Sequence, residues 1–279
     1  MSRRFAGVGL LRRPGVRWQT GGGAPSGPAY DADAQAYFDR VEGPSGDNES
    51  LEPEVKTAIN DFVVGCKDDG IWDAIKASCI LAGARTLDGA LQPLVGTSPT
   101  NYNFVSGDYD RKTGLTGTGS EYLDTGRACN ADPQNDQHVA VYTTTPESGA
   151  SSYAYISGGA SSFGASITEI LHVSSQMYFR SRNVGGAAIG SPVPTSPAFL
   201  GVSRSASSNF GWRLGGTTTT QNTNSVTSST LNMFVFSRSN ATLLSRAEIA
   251  FYSVGESLDL SLLENRVTTL IADIASAIP

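Results

Sequence analysis

The sequence predicts a mainly β protein, a sandwich or jelly roll, with a three-helix module before it and a single helix after it. Between residues 96 and 256, short apolar runs rich in aromatic and β-branched residues recur at roughly 10 to 20 residue intervals, separated by Gly, Ser, Asn or Pro. Residues 30–95 instead carry apolar side chains at helical spacing. Only 16% of the 279 residues are charged, and Gly, Ser, Thr and Asn are abundant, a composition suited to an exposed all-β surface more than to a metabolic enzyme.

Four segments follow in order. Residues 1–29 form a basic arm with Arg3, Arg4, Arg12, Arg13 and Arg17, no acidic residue, and a Gly/Pro hinge from Gly21 to Pro28. Isolated, such an arm is a solvated tail; docked, its arginines pair with carboxylates while Phe5 and Trp18 serve as apolar anchors. In residues 30–95, Ala34, Tyr37, Phe38 and Val41 define a first helix. Pro53 opens a second, striped by Val55, Ala58, Ile59, Phe62 and Val63. Ile71, Trp72, Ile75 and Cys79 suggest a third. This module is acidic, so it is either a solvated face or a receptor for the basic arm of a neighbouring copy.

Residues 96–256 hold the strand candidates, among them Asn103 to Val105, His138 to Thr144 and Ile167 to Val173. Leu231 to Val254 reads as a strand pair joined by a polar turn, with Ile249, Phe251 and Ser253 on one face of its second run. Thr217 to Thr230 reads as an exposed hairpin or edge strand, and Pro192, Pro194 and Pro197 mark a stiff loop. Residues 257–279 form a helix in which Leu260, Leu263, Val267, Leu270 and Ile274 step by threes and fours. That seam packs either on the chain itself or on other copies, a trimer being the sharper alternative.

Chemistry-bearing patterns are sparse. The net charge of −6 argues against a general nucleic-acid binder, and no apolar run nears the roughly 18 residues that span a bilayer. The N-terminus lacks a convincing signal peptide. Cys66, Cys79 and Cys129 cannot all pair, and Cys66 and Cys79 read as buried reduced thiols. His138 and His172 read as structural histidines, and no metal, phosphate-loop or nucleophile motif is present. No two closely spaced carboxylates share a strand face, as a jelly-roll glycosidase needs; Glu169 and Glu248 each stand alone. Asp108 with Asp110, and Glu121 with Asp124, read as turn-stabilising residues, with calcium ligation the alternative. Tyr102, Tyr109, Tyr153, Tyr155 and Trp212 are candidates for stacking on sugar rings, or are core residues.

Three stretches carry a family resemblance: Ala58 to Leu87, with Gly-Ile-Trp-Asp-Ala-Ile-Lys-Ala from Gly70; Pro99 to Leu115, with Tyr-Asn-Phe-Val-Ser-Gly-Asp-Tyr-Asp from Tyr102; and Ala250 to Leu260. They resemble a family of bacteriophage virion structural proteins, over about residues 30 to 275. The resemblance implies a concanavalin A-like or laminin G-like jelly roll and a place in a phage particle as tail fibre, neck appendage or head decoration. It supplies no catalytic residue. The resulting expectation is a non-enzymatic virion structural protein without cofactor or metal, most readily a tail- or neck-attached fibre whose lectin-like domain meets host-surface glycans. Head decoration and a free carbohydrate-binding protein are the alternatives. Its expected partners are other virion proteins through the arm (Arg3, Arg4, Phe5, Arg12, Arg13, Arg17 and Trp18), copies of itself, and a host glycan, with no nucleic acid and no membrane.

Overall fold

The structure, a computed structural model, describes residues 30–159, 166–184, 191–238 and 241–279. The expected docking arm, Arg3 through Trp18, therefore lies outside the described residues. Among the described residues four α-helices occur: α1 (Ala32–Val41), α2 (Pro53–Asp68), the short α3 (Leu87–Ala90) and α4 (Leu260–Ala277). Their ends follow local chemistry. The Asp31 carboxylate caps α1 by accepting from Asp33 N–H at 2.9 Å. Pro53 sits at the start of α2, where its missing N–H costs nothing, and Gly70 takes φ +70° just beyond its end. Asp259 caps α4 through Ser261 N–H at 2.7 Å.

The first strands in the chain are β1 (Ile75–Ile80), β2 (Thr100–Tyr102), β3 (Tyr109–Asp110), β4 (Gly114–Thr116) and β5 (Tyr122–Ala128). Next come β6 (Gln137–Thr145), β7 (Ser152–Gly159), β8 (Ile167–Val173), β9 (Gln176–Asn183) and β10 (Ser191–Pro192). The last are β11 (Ala198–Arg204), β12 (Asn209–Leu214), β13 (Thr217–Asn222), β14 (Asn232–Val235) and β15 (Glu248–Gly255). They form two antiparallel sheets in a jelly-roll-like sandwich. One has the order β13-β12-β11-β6-β15-β4-β3, with β1 also paired to β15; the other runs β10-β9-β8-β7-β14-β5-β2.

Two cores make three layers. Between the sheets lie Leu123, Val139, Val141, Tyr155, Ile170, Phe179, Trp212, Val235 and Tyr252, among others. On the far side of the first sheet, Ala140, Tyr142, Phe199, Ala250 and Phe251 pack against the apolar stripes of α1, α2 and α4. The first is therefore the covered sheet. The second is the open sheet, because no helix among the described residues shares a core with its outer face.

Several expectations need correction. The expected third helix of the N-terminal module is a 3-10 turn, Trp72–Ala74, followed by β1. Its apolar run imitates a helix because β1 is buried on both faces: Ala77 and Cys79 face the sandwich interior, Ile75 and Ile80 the helices. The two runs of the expected strand pair, β14 and β15, lie in opposite sheets, joined by an irregular crossover in which Phe236 takes φ +67°. A bulge between Ile249 and Phe251 also breaks the alternation of β15, so Ile249 points inward with Tyr252 and Val254 while Phe251 meets the helices. The strand expected at Asn103 to Val105 falls earlier, at Thr100–Tyr102, since Asn103 turns left-handed at φ +73°.

The α4 seam is used inside the chain. Leu260, Leu263, Val267, Leu270 and Ile274 are all buried in the core shared with α2 and the covered sheet. Charged pairs then fix the helix from both sides. Arg266 forks onto Asp69 at 2.7 and 2.9 Å, and Arg213 Nε meets Glu264 at 2.5 Å. Other acidic residues of the N-terminal segment are also engaged: Asp31 and Asp33 by Lys67, and Glu52 by Arg85 and Arg111.

Candidate glycan-binding face and end cavity

Strand alternation sends Leu123, Met233 and Val235 into the core, so Tyr122, Asp124, Asn232 and Phe234 emerge on the outer face of the open sheet. There Tyr102, paired directly opposite Tyr122, stacks on it at 4.4 Å between ring centroids and 7° between planes. Phe234 continues the series at 5.9 Å from Tyr122. Tyr102 is 39% exposed, whereas Tyr122 and Phe234 are half-buried and so fixed by their surroundings. Beside them Asn232 Nδ2 donates to both oxygens of Asp124, at 3.0 and 3.1 Å, and Gly126 N–H donates at 2.8 Å. The result is a rigid aromatic step next to an oriented polar pair.

The same row of the sheet continues through Ser157 and Glu169 to Arg180, each paired with its neighbour across the strands. Glu169 is fully buried; it accepts from Arg180 Nη1 at 2.9 Å, and Arg238 Nε stands 3.1 Å from its other oxygen. Burial is the largest influence on this carboxyl and pushes its pKa up, against the pull of the two guanidinium groups. It anchors two arginines at the face and is closed to solvent itself.

A cavity of about 580 Å³ opens at one end of the sandwich, between the end of β6, the β8–β9 turn and the proline loop after β10. Glu147 and His172 supply its buried polar groups, and Pro146, Pro192, Val193 and Pro194 its apolar wall. Glu147 Oε1 accepts from Ser245 Oγ–H at 2.5 Å, from Ala247 N–H at 3.0 Å and from Arg246 N–H. His172 Nε2 accepts from Ser175 N–H at 3.1 Å, in a hairpin turn whose Ser174 and Ser175 have φ +50° and +65°.

The remaining sequence candidates separate clearly. Of the five aromatics, Tyr102 is on the open face and Tyr153 is half-buried against His172, with centroids 5.7 Å apart. Tyr109 is half-buried, its hydroxyl donating to Ala84 O at 2.7 Å, while Tyr155 and Trp212 belong to the interior. The carboxylates suggested for calcium serve turns. Asp110 accepts from Lys112 and Thr113 N–H, Asp108 from Val105 N–H, and Glu121 from Thr118 and Ser120. Burial raises the Glu121 carboxyl, but those hydrogen bonds outweigh it and hold the pKa at about 2. All three cysteines are free and buried, Cys79 on β1 rather than on a helix. Sequence reasoning missed Tyr122, Phe234 and Glu147. The signal for the first two is the strand alternation around Leu123 and Val235, which becomes readable only with the register.

No family model matches the chain, and no curated protein is similar to it in sequence. Solved structures are similar in fold. A mutant of Trypanosoma rangeli sialidase displaying trans-sialidase activity matches with TM-score 0.50 and 10% identity over 78% of this chain and 39% of that one. The enzymatically active domain of bacteriophage CBA120 tailspike protein 2 matches with TM-score 0.41 and 14% identity, over 61% and 29%. The binding domain of botulinum neurotoxin serotype D matches with TM-score 0.47 and 9% identity, over 71% and 51%. The chain thus spans between 29% and 51% of these three. At such identity the likeness to the sialidase is one of fold. It corrects the expectation of a non-enzymatic protein, which rested on the missing carboxylate pair and catalytic motifs, because the fold is also that of an enzyme.

Proposed function

We propose that this chain is a glycan-recognising sandwich, of concanavalin A-like type, in a tail- or neck-attached appendage of a bacteriophage particle. The observation that carries the glycan reading is the Tyr102–Tyr122–Phe234 step on the one sheet face that the helices leave open. Flat aromatic faces take the apolar face of a sugar ring, and an oriented carboxylate and amide such as Asp124 and Asn232 take its hydroxyls. The phage reading is supported by the sequence resemblance at Ala58 to Leu87, Pro99 to Leu115 and Ala250 to Leu260. The likeness in fold to a sialidase accords with the glycan reading. In this reading the arginine-rich arm, residues 1–29, joins the module to other particle proteins.

A glycan array probed with the full chain tests recognition, with product analysis of every bound glycan reporting any cleavage. Binding of at least one glycan family, lost on substitution of Tyr102, is expected; an array without signal contradicts the reading. Gold-labelled antibody on intact particles tests position. Label at the tail or neck is expected, whereas label spread over the head favours decoration.

A further inference from the structure

The end cavity holds an unfinished hydrogen-bond system. His172 is fully buried, and its Nε2 accepts a hydrogen bond from Ser175 N–H, so the neutral ring carries its own proton on Nδ1. Burial keeps the ring neutral by lowering its pKa. That Nδ1–H has no acceptor among the described residues, although buried donors are nearly always satisfied. Glu147, on the same cavity wall, receives its three protein donors on Oε1, leaving Oε2 as an acceptor. Among the described residues, no Lys or Arg lines the cavity.

From this geometry we infer a second binding site, in the end cavity, for a neutral polyhydroxy ring of monosaccharide size. A hydroxyl is the group that answers both, since it accepts from the unpartnered Nδ1–H and donates to the Glu147 carboxylate. The proline and valine wall suits the apolar face of the ring, and about 580 Å³ lies within the range of small-molecule pockets. An anionic ring is disfavoured, because it would face the Glu147 carboxylate with no cation among the described lining residues to offset it. The site goes beyond the proposed face: the aromatic step lies on the outer surface of β2, β5 and β14, whereas the cavity sits between the sheets at the β8–β9 turn.

Calorimetric titration of the full chain with glucose, galactose, N-acetylglucosamine and glucuronate tests it. At least one neutral sugar is expected to bind, glucuronate at least tenfold more weakly than glucose where glucose binds. His172→Phe should weaken the neutral sugar at least tenfold. So should Thr195→Trp, which plugs the exposed rim without touching the core and keeps the test open if the histidine variant fails to fold. Tyr102→Ala, on the open face, should leave this binding unchanged. The inference is overturned if none of the three neutral sugars binds, or if affinity survives in a folded cavity variant. Loss in Tyr102→Ala alone would assign the sugar to the open face and remove the cavity as a site.

Discussion

His138 shows how a buried side chain ties stability to pH. Its Nδ1–H donates to Glu256 O at 2.5 Å, so in the neutral ring Nε2 accepts from Ser253 Oγ–H at 2.7 Å. Burial, the largest influence, lowers its pKa to about 4. The folded value lies below the unfolded one of about 6.5, so the unfolded chain takes up the proton first. The contribution is whole above pH 6.5 and fades as pH falls, reaching a loss of about 3 kcal/mol by pH 4. Urea unfolding across that range should show it, and His138→Gln should flatten that part of the profile. Glu169 gives a second test. Glu169→Gln leaves Arg180 and Arg238 beside a neutral group in a closed site and should cost about 3 to 5 kcal/mol, read as a lower urea midpoint. Little of this was legible in the sequence, where Glu169 and its two arginines are separate symbols on β8, on β9 and just beyond β14.

At the scale of elements, periodicity was legible wherever one face is buried and one wet. The stripes of α1, α2 and α4 all face the core as their spacing predicts, and Thr217–Asn222 is an exposed edge strand. It misled where both faces are buried, as at β1, and where a bulge shifts the register, as at β15. Helix α4 carries the next prediction. Leu263→Ala should cost about 2 to 5 kcal/mol, because the side chain is fully buried between helix and sheet. Asp259→Ala should cost about 1 kcal/mol through the lost cap. Since the seam is internal, the thermal midpoint lost in Leu263→Ala should not depend on protein concentration. A concentration-dependent loss would mean that α4 also holds copies together.

For the whole molecule, the asymmetry of the layers matters most. Helices cover one sheet, leaving the other to present side chains outward, and strand pairing gathers residues far apart in the chain: Tyr102 and Tyr122 meet Phe234 only through β5 and β14. That is why Tyr102 was nameable in the sequence as one exposed aromatic among several, while the step it belongs to was not. It is also why the missing carboxylate pair could not exclude an enzyme: a pair on different strands leaves no local spacing to read. The most direct measurement is the affinity of the full chain for its best array glycan, compared with the Tyr102→Ala/Tyr122→Ala double variant. Loss of the aromatic step should weaken binding at least about tenfold, roughly 1.4 kcal/mol, in a double variant that still melts cooperatively. Equal affinity in the folded double variant would contradict recognition through the open sheet.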